Sequence, residues 1–154
     1  MKLAFFFIFT VFLSLSAQAG NGPFSLGAIL GDPTGLSAKY DLSRNEAIDG
    51  ALSWSSGSRT GVQMHGDYLR IHPGQIGAGN AQIDLYYGIG ARLIGIDRGD
   101  HKGKVSLGPR APIGLKHELR DPSIEFFGEL ALILDLIPST SADFDIGVGA
   151  RYRF

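Results

Sequence analysis

From Phe24 onward, the chain divides into eight stretches in which apolar side chains alternate with polar or small ones. A period of two residues places successive side chains on opposite faces of a β-strand, and clusters of Gly, Pro, Asn, Asp and Ser separate the stretches as turns do. The stretches are residues 24–30, 36–42, 47–55, 62–71, 82–96, 104–119, 123–137 and 144–154. Short connections require antiparallel neighbours, and an even number of strands closes such a meander into a barrel. The pattern therefore predicts an all-β fold, an eight-stranded antiparallel up-and-down barrel.

The last stretch alternates over its whole length, and the alternation is clearest in the fifth and seventh stretches. One face carries Phe144, Ile146, Val148, Ala150, Tyr152 and Phe154, and the other carries Asp145, Gly147, Gly149, Arg151 and Arg153. The fourth stretch is less regular, because Leu69 and Ile71 share a face with His65 and Asp67. We expect a bulge or an early strand end at that point.

The first 19 residues have the pattern of a secretory signal peptide that is cleaved after Ala19. Lys2 precedes an apolar run over residues 3–15, and small residues that include Ala17 and Ala19 follow it. The run is too short for a transmembrane helix, which needs roughly 20 apolar residues. We therefore predict an exported protein with a signal peptide over residues 1–19 and a single barrel domain over residues 20–154.

Composition restricts the class of protein further. The chain has no cysteine, so it forms no disulfide and lacks the lipidated cysteine of a lipoprotein. Its 14 basic and 15 acidic side chains leave no basic excess for binding nucleic acid. No later stretch predicts a membrane helix, so a place in a membrane would require a closed barrel, which satisfies every backbone group internally.

The same alternation fits two arrangements of opposite polarity. A transmembrane barrel turns its apolar face to lipid and carries aromatic residues at both interfaces, whereas a soluble periplasmic lipocalin-like carrier turns that face toward an apolar ligand. Aromatic residues of the apolar face gather near the two predicted rims, which favours the transmembrane barrel. They are Phe24, Tyr40, Tyr68, Tyr87, Phe126, Tyr152 and Phe154 at one rim, and Trp54 and Phe144 at the other. The carrier remains an alternative.

Charged residues of both signs fall on the face that would line the barrel. They are Lys39, Asp41, Asp49, His65, Asp67, Asp84, Arg92, Arg110, Lys116, Glu118, Glu125, Glu129, Asp135, Asp145, Arg151 and Arg153. Eight strands enclose a space just wide enough for side chains, and an unpaired buried charge costs several kcal/mol. We therefore predict a network of paired charges that closes the lumen. Its predicted members are Arg92, Arg110, Lys116, Glu125, Glu129, Asp135 and Arg151.

The histidines, at positions 65, 72, 101 and 117, lack the short spacing of metal ligands. One enzyme alternative is specific: an outer-membrane lipid acyl hydrolase needs a serine beside a histidine on the lipid-facing surface. The nearest candidates are His65 with Ser53 or Ser55, but the predicted register turns His65 inward. We predict no catalysis, no cofactor and no metal site.

The end of the chain resembles the C-terminal signature of bacterial outer-membrane proteins, which the barrel-assembly machinery reads. Tyr152 and Phe154 match its tyrosine and terminal phenylalanine. Residues 106–115, 122–130, 134–140 and 147–154 look like those of a family of small, largely uncharacterised bacterial outer-membrane β-barrels, with spirochaetal surface barrels among its relatives. The resemblance implies an eight-stranded barrel, similar in size to OmpA and OmpX, without an agreed activity.

The sequence thus predicts a small integral outer-membrane barrel with a structural role or a binding role that no motif specifies. Its expected partners are outer-membrane lipid and, during biogenesis, the barrel-assembly machinery. An extracellular or host partner would contact the charged loop over residues 97–103. Some relatives look like adhesins, but the short loops of this chain offer little surface for that activity.

Overall fold

The computed structural model describes residues 22–55, 61–78, 81–96, 103–119, 123–137 and 139–154. The predicted signal peptide, most of the loop over residues 97–103 and His101 lie outside these ranges. The strands are β1 (Phe24–Asp32), β2 (Thr34–Asp41), β3 (Glu46–Ser55), β4 (Gly61–Ala78), β5 (Ala81–Ile96), β6 (Val105–Glu118), β7 (Ile124–Asp135) and β8 (Ser141–Arg153). Within the described ranges, no helix has the length and hydropathy needed to cross a bilayer.

The eight strands form one closed antiparallel barrel in which sequence neighbours pair and β1 pairs with β8. The closing pair runs from Ser25 opposite Arg153 to Asp32 opposite Ile146. We call the end of the barrel that contains Phe24 and Phe154 the terminal end, and the opposite end, which contains Pro33, the loop end. The predicted fold class is confirmed.

Side chains alternate between the outside and the interior, as the pleat of a strand requires. Along β6, exposed and buried residues alternate without interruption from Val105 to Lys116. On β7, Glu125, Glu129 and Asp135 are buried, while the leucines between them point outward. The apolar face of the barrel is therefore its outer face, and most charges of the polar face are inside.

Strand β4 corrects the expectation of a bulge or strand end near residue 70. Leu69 pairs with Gly88 and Ile71 with Tyr86, so the register continues unbroken through this point. Both side chains are buried in an apolar cluster within the barrel. Its members are Ile29, Ala47, Ala51, Leu69, Ile71, Tyr86 and Phe127. Leu69 and Ile71 on the inner face thus belong to this packed cluster and do not mark a bulge or the end of the strand.

The irregularity in β4 comes later, between His72 and Ile76, and the strand continues to Ala78 where the sequence predicted a turn. Pro73 and Gly74 lie in this segment, and Gly74 has a φ of 65°. Proline lacks an N–H for the ladder, and glycine adopts the left-handed region without steric cost. The pairing with β5 therefore shifts its register here and then resumes.

Candidate functional site

Large apolar side chains cover the outer face of every strand. Examples are Leu30 on β1, Leu36 on β2, Leu52 on β3, Met64 on β4, Ile89 on β5, Ile113 on β6, Leu132 on β7 and Ile146 on β8. Ile89 is 67% exposed and Ile146 is 65% exposed. Soluble monomers rarely expose a contiguous apolar patch of more than a few hundred Å². An apolar surface on all eight strands requires a non-aqueous surrounding.

Aromatic rings of the outer face lie toward both ends of the barrel. At the terminal end, the ring centroids of Phe24 and Phe154 are 6.2 Å apart, and those of Tyr152 and Phe154 are 5.1 Å apart. At the loop end, Trp54 is 62% exposed and Phe144 is 63% exposed. Two aromatic belts that flank a band of aliphatic residues are typical of barrels that span a bilayer.

One group of charges inside the barrel surrounds Glu125. We call Lys39, Asp49, Lys116, Glu125 and Arg151 the Glu125 cluster; all five are buried. Glu125 pairs with Lys39, with Lys116 at 3.3 Å and with Arg151 at 3.1 Å. Arg151 also contacts Asp49 at 2.8 Å. The five buried members therefore comprise three cations and two carboxylates. At the edge of the cluster, Lys39 also contacts the half-buried Asp41 at 3.1 Å, and Lys116 contacts the half-buried Asp84 at 3.4 Å.

Neighbouring groups hold Arg151 in place. Its Nε and Nη2 atoms donate hydrogen bonds of 3.0 and 2.8 Å to Ser37 Oγ. Its guanidinium carbon lies 3.9 Å from the ring centroid of Phe127, within the range of a cation–π interaction. All three guanidinium nitrogens of Arg151 therefore have a partner.

A second group surrounds two arginines. We call Asp67, Arg92, Arg110, Glu129, Asp135 and Asp145 the Arg110 cluster; all six are buried. Arg110 pairs with Asp67 and Glu129, and its Nε atom lies 3.7 Å from Asp145. Arg92 contacts Asp135 at 2.7 Å and Asp145 at 3.0 Å. This cluster has four carboxylates and two cations.

Neutral groups complete part of the Arg110 cluster. The Tyr86 hydroxyl donates a hydrogen bond of 3.0 Å to Glu129 Oε2. The Gln63 amide nitrogen donates one of 2.8 Å to Asp145 Oδ2. Both neutral side chains are buried, and they come from the neighbouring strands β4 and β5.

All seven residues of the predicted network are buried inside the barrel. Glu129 contacts Arg110, and Glu125 contacts Lys116 and Arg151. Arg92 on β5 contacts Asp135 on β7, two strands away. The sequence placed Lys39, Asp49, Asp67 and Asp145 on the inner face but did not assign them to the network. The ion pairs of these four residues depend on which strands approach each other once the barrel is closed, and the sequence does not show this.

The interior opens at the terminal end into a cavity of about 790 Å³. Its charged lining residues are Asp41, Arg44, Asp84, Lys116, Glu118 and Arg153. Arg153 contacts Asp41 at 2.8 Å and Glu118 at 2.9 Å. Charges of both signs thus line this mouth and are paired across it.

The observed polarity is the reverse of that expected for a lipocalin-like carrier. The described interior holds the ion pairs and one small apolar cluster, and most large apolar side chains cover the outside. The structure also disfavours the hydrolase alternative, because His65 and Ser53 are both buried on the inner face. Ser53 donates a hydrogen bond of 3.4 Å to the Gln63 carbonyl oxygen. The side chain of Ser55 lies outside the described part.

Together these features define a small closed β-barrel with an apolar outside and a charged interior. No family model and no curated protein matches the chain. Among solved structures, the fold is similar to the N-terminal β-barrel domain of Pseudomonas aeruginosa OprF, with a TM-score of 0.60 and 14% sequence identity. The match covers 85% of this chain and 96% of that chain. It supports the barrel fold, while the family named from sequence motifs stays a prediction.

Proposed function

We propose that this protein is an integral β-barrel of a bacterial outer membrane, with a structural role or a binding role, and without catalysis. The observation that carries the proposal is the polarity of the barrel, which is apolar outside and charged inside. Removing exposed apolar area from water stabilises a protein by roughly 25 cal/mol per Å². A bilayer provides that stabilisation for this outer surface.

The backbone supports the same proposal. Every strand pairs with a neighbour on both sides, so the sheet has no edge whose N–H and C=O groups would face lipid. The predicted signal peptide would direct the chain to the envelope. We also assign Tyr152 and Phe154 to the signal that the assembly machinery reads.

We further propose that the Glu125 and Arg110 clusters close the lumen. Paired side chains from strands that are three apart around the barrel meet inside it, as in the contacts of Lys39 on β2 with Glu125 on β7 and of Arg92 on β5 with Asp145 on β8. A closed lumen predicts that the protein forms no steady conducting pore in a planar bilayer. Large, steady conductance steps from the purified barrel would contradict this part of the proposal.

Cell fractionation tests the membrane location. We expect the protein in the outer-membrane fraction, and we expect the unheated protein to migrate differently from the heated protein on a denaturing gel. A protein that is released with the periplasm and migrates identically before and after heating would contradict the proposal.

A charge on the outer face provides a sharper test. Met64 is exposed on β4 between Trp54 at the loop end and Tyr68 at the terminal end, and its strand neighbours are Leu52 and Leu93. Met64→Arg should impair insertion and cost roughly 2–4 kcal/mol if its site faces the middle of a bilayer. The same change should be nearly neutral in a water-soluble barrel, because Met64 is exposed. Gln75→Arg is the matched control, since Gln75 is exposed on the terminal-end extension of β4. Equal behaviour of the two variants would count against lipid at Met64.

A further inference from the structure

The Arg110 cluster holds more negative than positive charge. Its four buried carboxylates face two guanidiniums within the described residues. With His65 neutral, the cluster carries a formal charge of −2. An uncompensated charge in a protein interior is costly, so an additional cation at this place would stabilise the folded barrel.

His65 lies beside this cluster and lacks the partners that a buried imidazole normally has. Its side chain is 3% exposed, and its Nε2 atom lies 4.0 Å from Asp67 Oδ2. In the described part of the chain, neither His65 Nδ1 nor Asp67 Oδ1 has a hydrogen-bond partner. Nε2 is thus the ring nitrogen that faces Asp67, and no hydrogen bond at Nδ1 holds the ring in place.

His65, Asp67 and Glu129 offer ligand atoms that all lie within 4.8 Å of one another. We propose that these three side chains bind one divalent first-row transition-metal cation of the Zn²⁺ type inside the barrel. One imidazole and two carboxylates suit such a cation, whereas Mg²⁺ and Ca²⁺ favour oxygen ligands alone. Ligand atoms at about 2.1 Å from tetrahedral Zn²⁺ are roughly 3.4 Å apart, so small side-chain movements complete the geometry.

Arg110 is compatible with a cation at this site. It pairs with Asp67 through Oδ2 and with Glu129 through Oε1. Asp67 Oδ1 has no described partner, and Glu129 Oε2 accepts the hydrogen bond from Tyr86. Each carboxylate therefore retains a second oxygen that a cation can share. A bound cation would offset negative charge of these carboxylates.

The experiment measures retained metal in the intact barrel. The mature chain is refolded into detergent micelles with ZnCl₂, or with MgCl₂ in parallel, and is then passed over a chelating resin. We expect about one Zn²⁺ and no Mg²⁺ per folded barrel. Zn²⁺ should also raise the temperature at which the gel mobility changes. Absence of retained Zn²⁺ would overturn the proposal.

Histidine variants identify the ligands. His65→Gln should weaken Zn²⁺ binding by at least about tenfold, because even outer-shell changes cost 10–100-fold. His117→Gln is the matched control, since His117 lies on β6 with its Nδ1 atom 2.9 Å from the Gln82 carbonyl oxygen. Equal retention in wild type and His65→Gln, or equal loss in both variants, would overturn the proposal. If His65→Gln does not refold, His65→Ala removes the same ligand without added bulk.

Discussion

The two charge clusters inside the barrel have opposite imbalances. Among the buried side chains, three cations of the Glu125 cluster share two carboxylates, whereas four carboxylates of the Arg110 cluster share two guanidiniums. The half-buried Asp41 and Asp84 add carboxylates beside Lys39 and Lys116 at the edge of the Glu125 cluster. The barrel interior is thus close to neutral as a whole but not in its parts. Carboxylates are the scarcer buried charge in the Glu125 cluster, and guanidiniums are the scarcer charge in the Arg110 cluster. We expect removal of the scarcer charge to cost more unfolding free energy.

The clusters also differ in how completely their polar atoms are paired. Both oxygens of Glu125 and all three guanidinium nitrogens of Arg151 have partners, and among the described residues Asp49 Oδ1 is the one buried oxygen of this cluster without a hydrogen bond. Near Arg110, by contrast, His65 Nδ1, Asp67 Oδ1 and Gln63 Oε1 all lack a hydrogen-bond partner among the described residues. The more completely paired cluster contributes rigidity, whereas the one with more spare acceptors retains the capacity to bind a cation.

The largest effect should come from removing the scarce base of the acid-rich cluster. Arg110→Gln leaves Asp67 and Glu129 without their cation, so we expect a loss of about 3–5 kcal/mol in unfolding free energy. Lys39→Gln is the matched control, because Glu125 keeps Lys116 and Arg151 as partners. Urea titrations followed by gel mobility measure both losses. Equal losses would show that the imbalance between the clusters does not matter.

The converse substitution tests the cation-rich cluster. Glu125→Gln removes the one carboxylate that Lys39, Lys116 and Arg151 share, so we expect a loss of about 3 kcal/mol. Each cation keeps another carboxylate, which is Asp41 for Lys39, Asp84 for Lys116 and Asp49 for Arg151. Glu129→Gln should also lower the unfolding temperature, but by less, because Arg110 keeps Asp67 and the cluster stays rich in acids. Unfolding temperatures on unheated and heated gels compare the two variants. A larger loss for Glu129→Gln would contradict the comparison, and no loss would contradict its role in the network.

Strand number and face assignment could be predicted from the sequence because they depend on a local period of two residues. The end of β4 could not, since Pro73 and Gly74 have the composition of a turn while the structure accommodates them in a register shift. Strand β6 also contains prolines and still runs without a break. Its pairing with β5 is interrupted between Tyr87 and Gly90 and then resumes in the same register.

Charge pairing was predictable only between neighbouring strands. Glu129 and Arg110 are separated by 19 residues on adjacent strands, whereas Lys39 and Glu125 are separated by 86 residues. Arg151 and Asp49 are 102 residues apart. Partners across the lumen depend on how far the strands are staggered when the barrel closes, and no local pattern encodes that stagger.

A smaller effect should come from filling space beside Asp67. A Cβ atom at Gly90 would lie 2.0 Å from the Gly66 carbonyl oxygen and 2.1 Å from Asp67 Oδ1. Gly90→Ala must therefore shift the backbone or the Asp67–Arg110 pair, and we expect a loss of roughly 1–3 kcal/mol. Gly66→Ala is the control, because its Cβ would meet the Asp49 carbonyl oxygen at 3.8 Å. Similar urea midpoints for the two variants would argue against tight packing around the Arg110 cluster.

The smallest effect should come from the ion pair on the outer face. Glu46 and Arg70 pair at the terminal end, where their side chains are 34% and 53% exposed. Ion pairs at polar surfaces contribute about 0–1 kcal/mol, so Glu46→Gln should change the urea midpoint little. A loss as large as that of Glu125→Gln would mean that lipid hydrocarbon surrounds this pair. The membrane would then reach farther toward the terminal end than the aromatic belt indicates. The energetic contribution of an ion pair would then depend on its depth in the bilayer and not on whether it lies inside or outside the barrel.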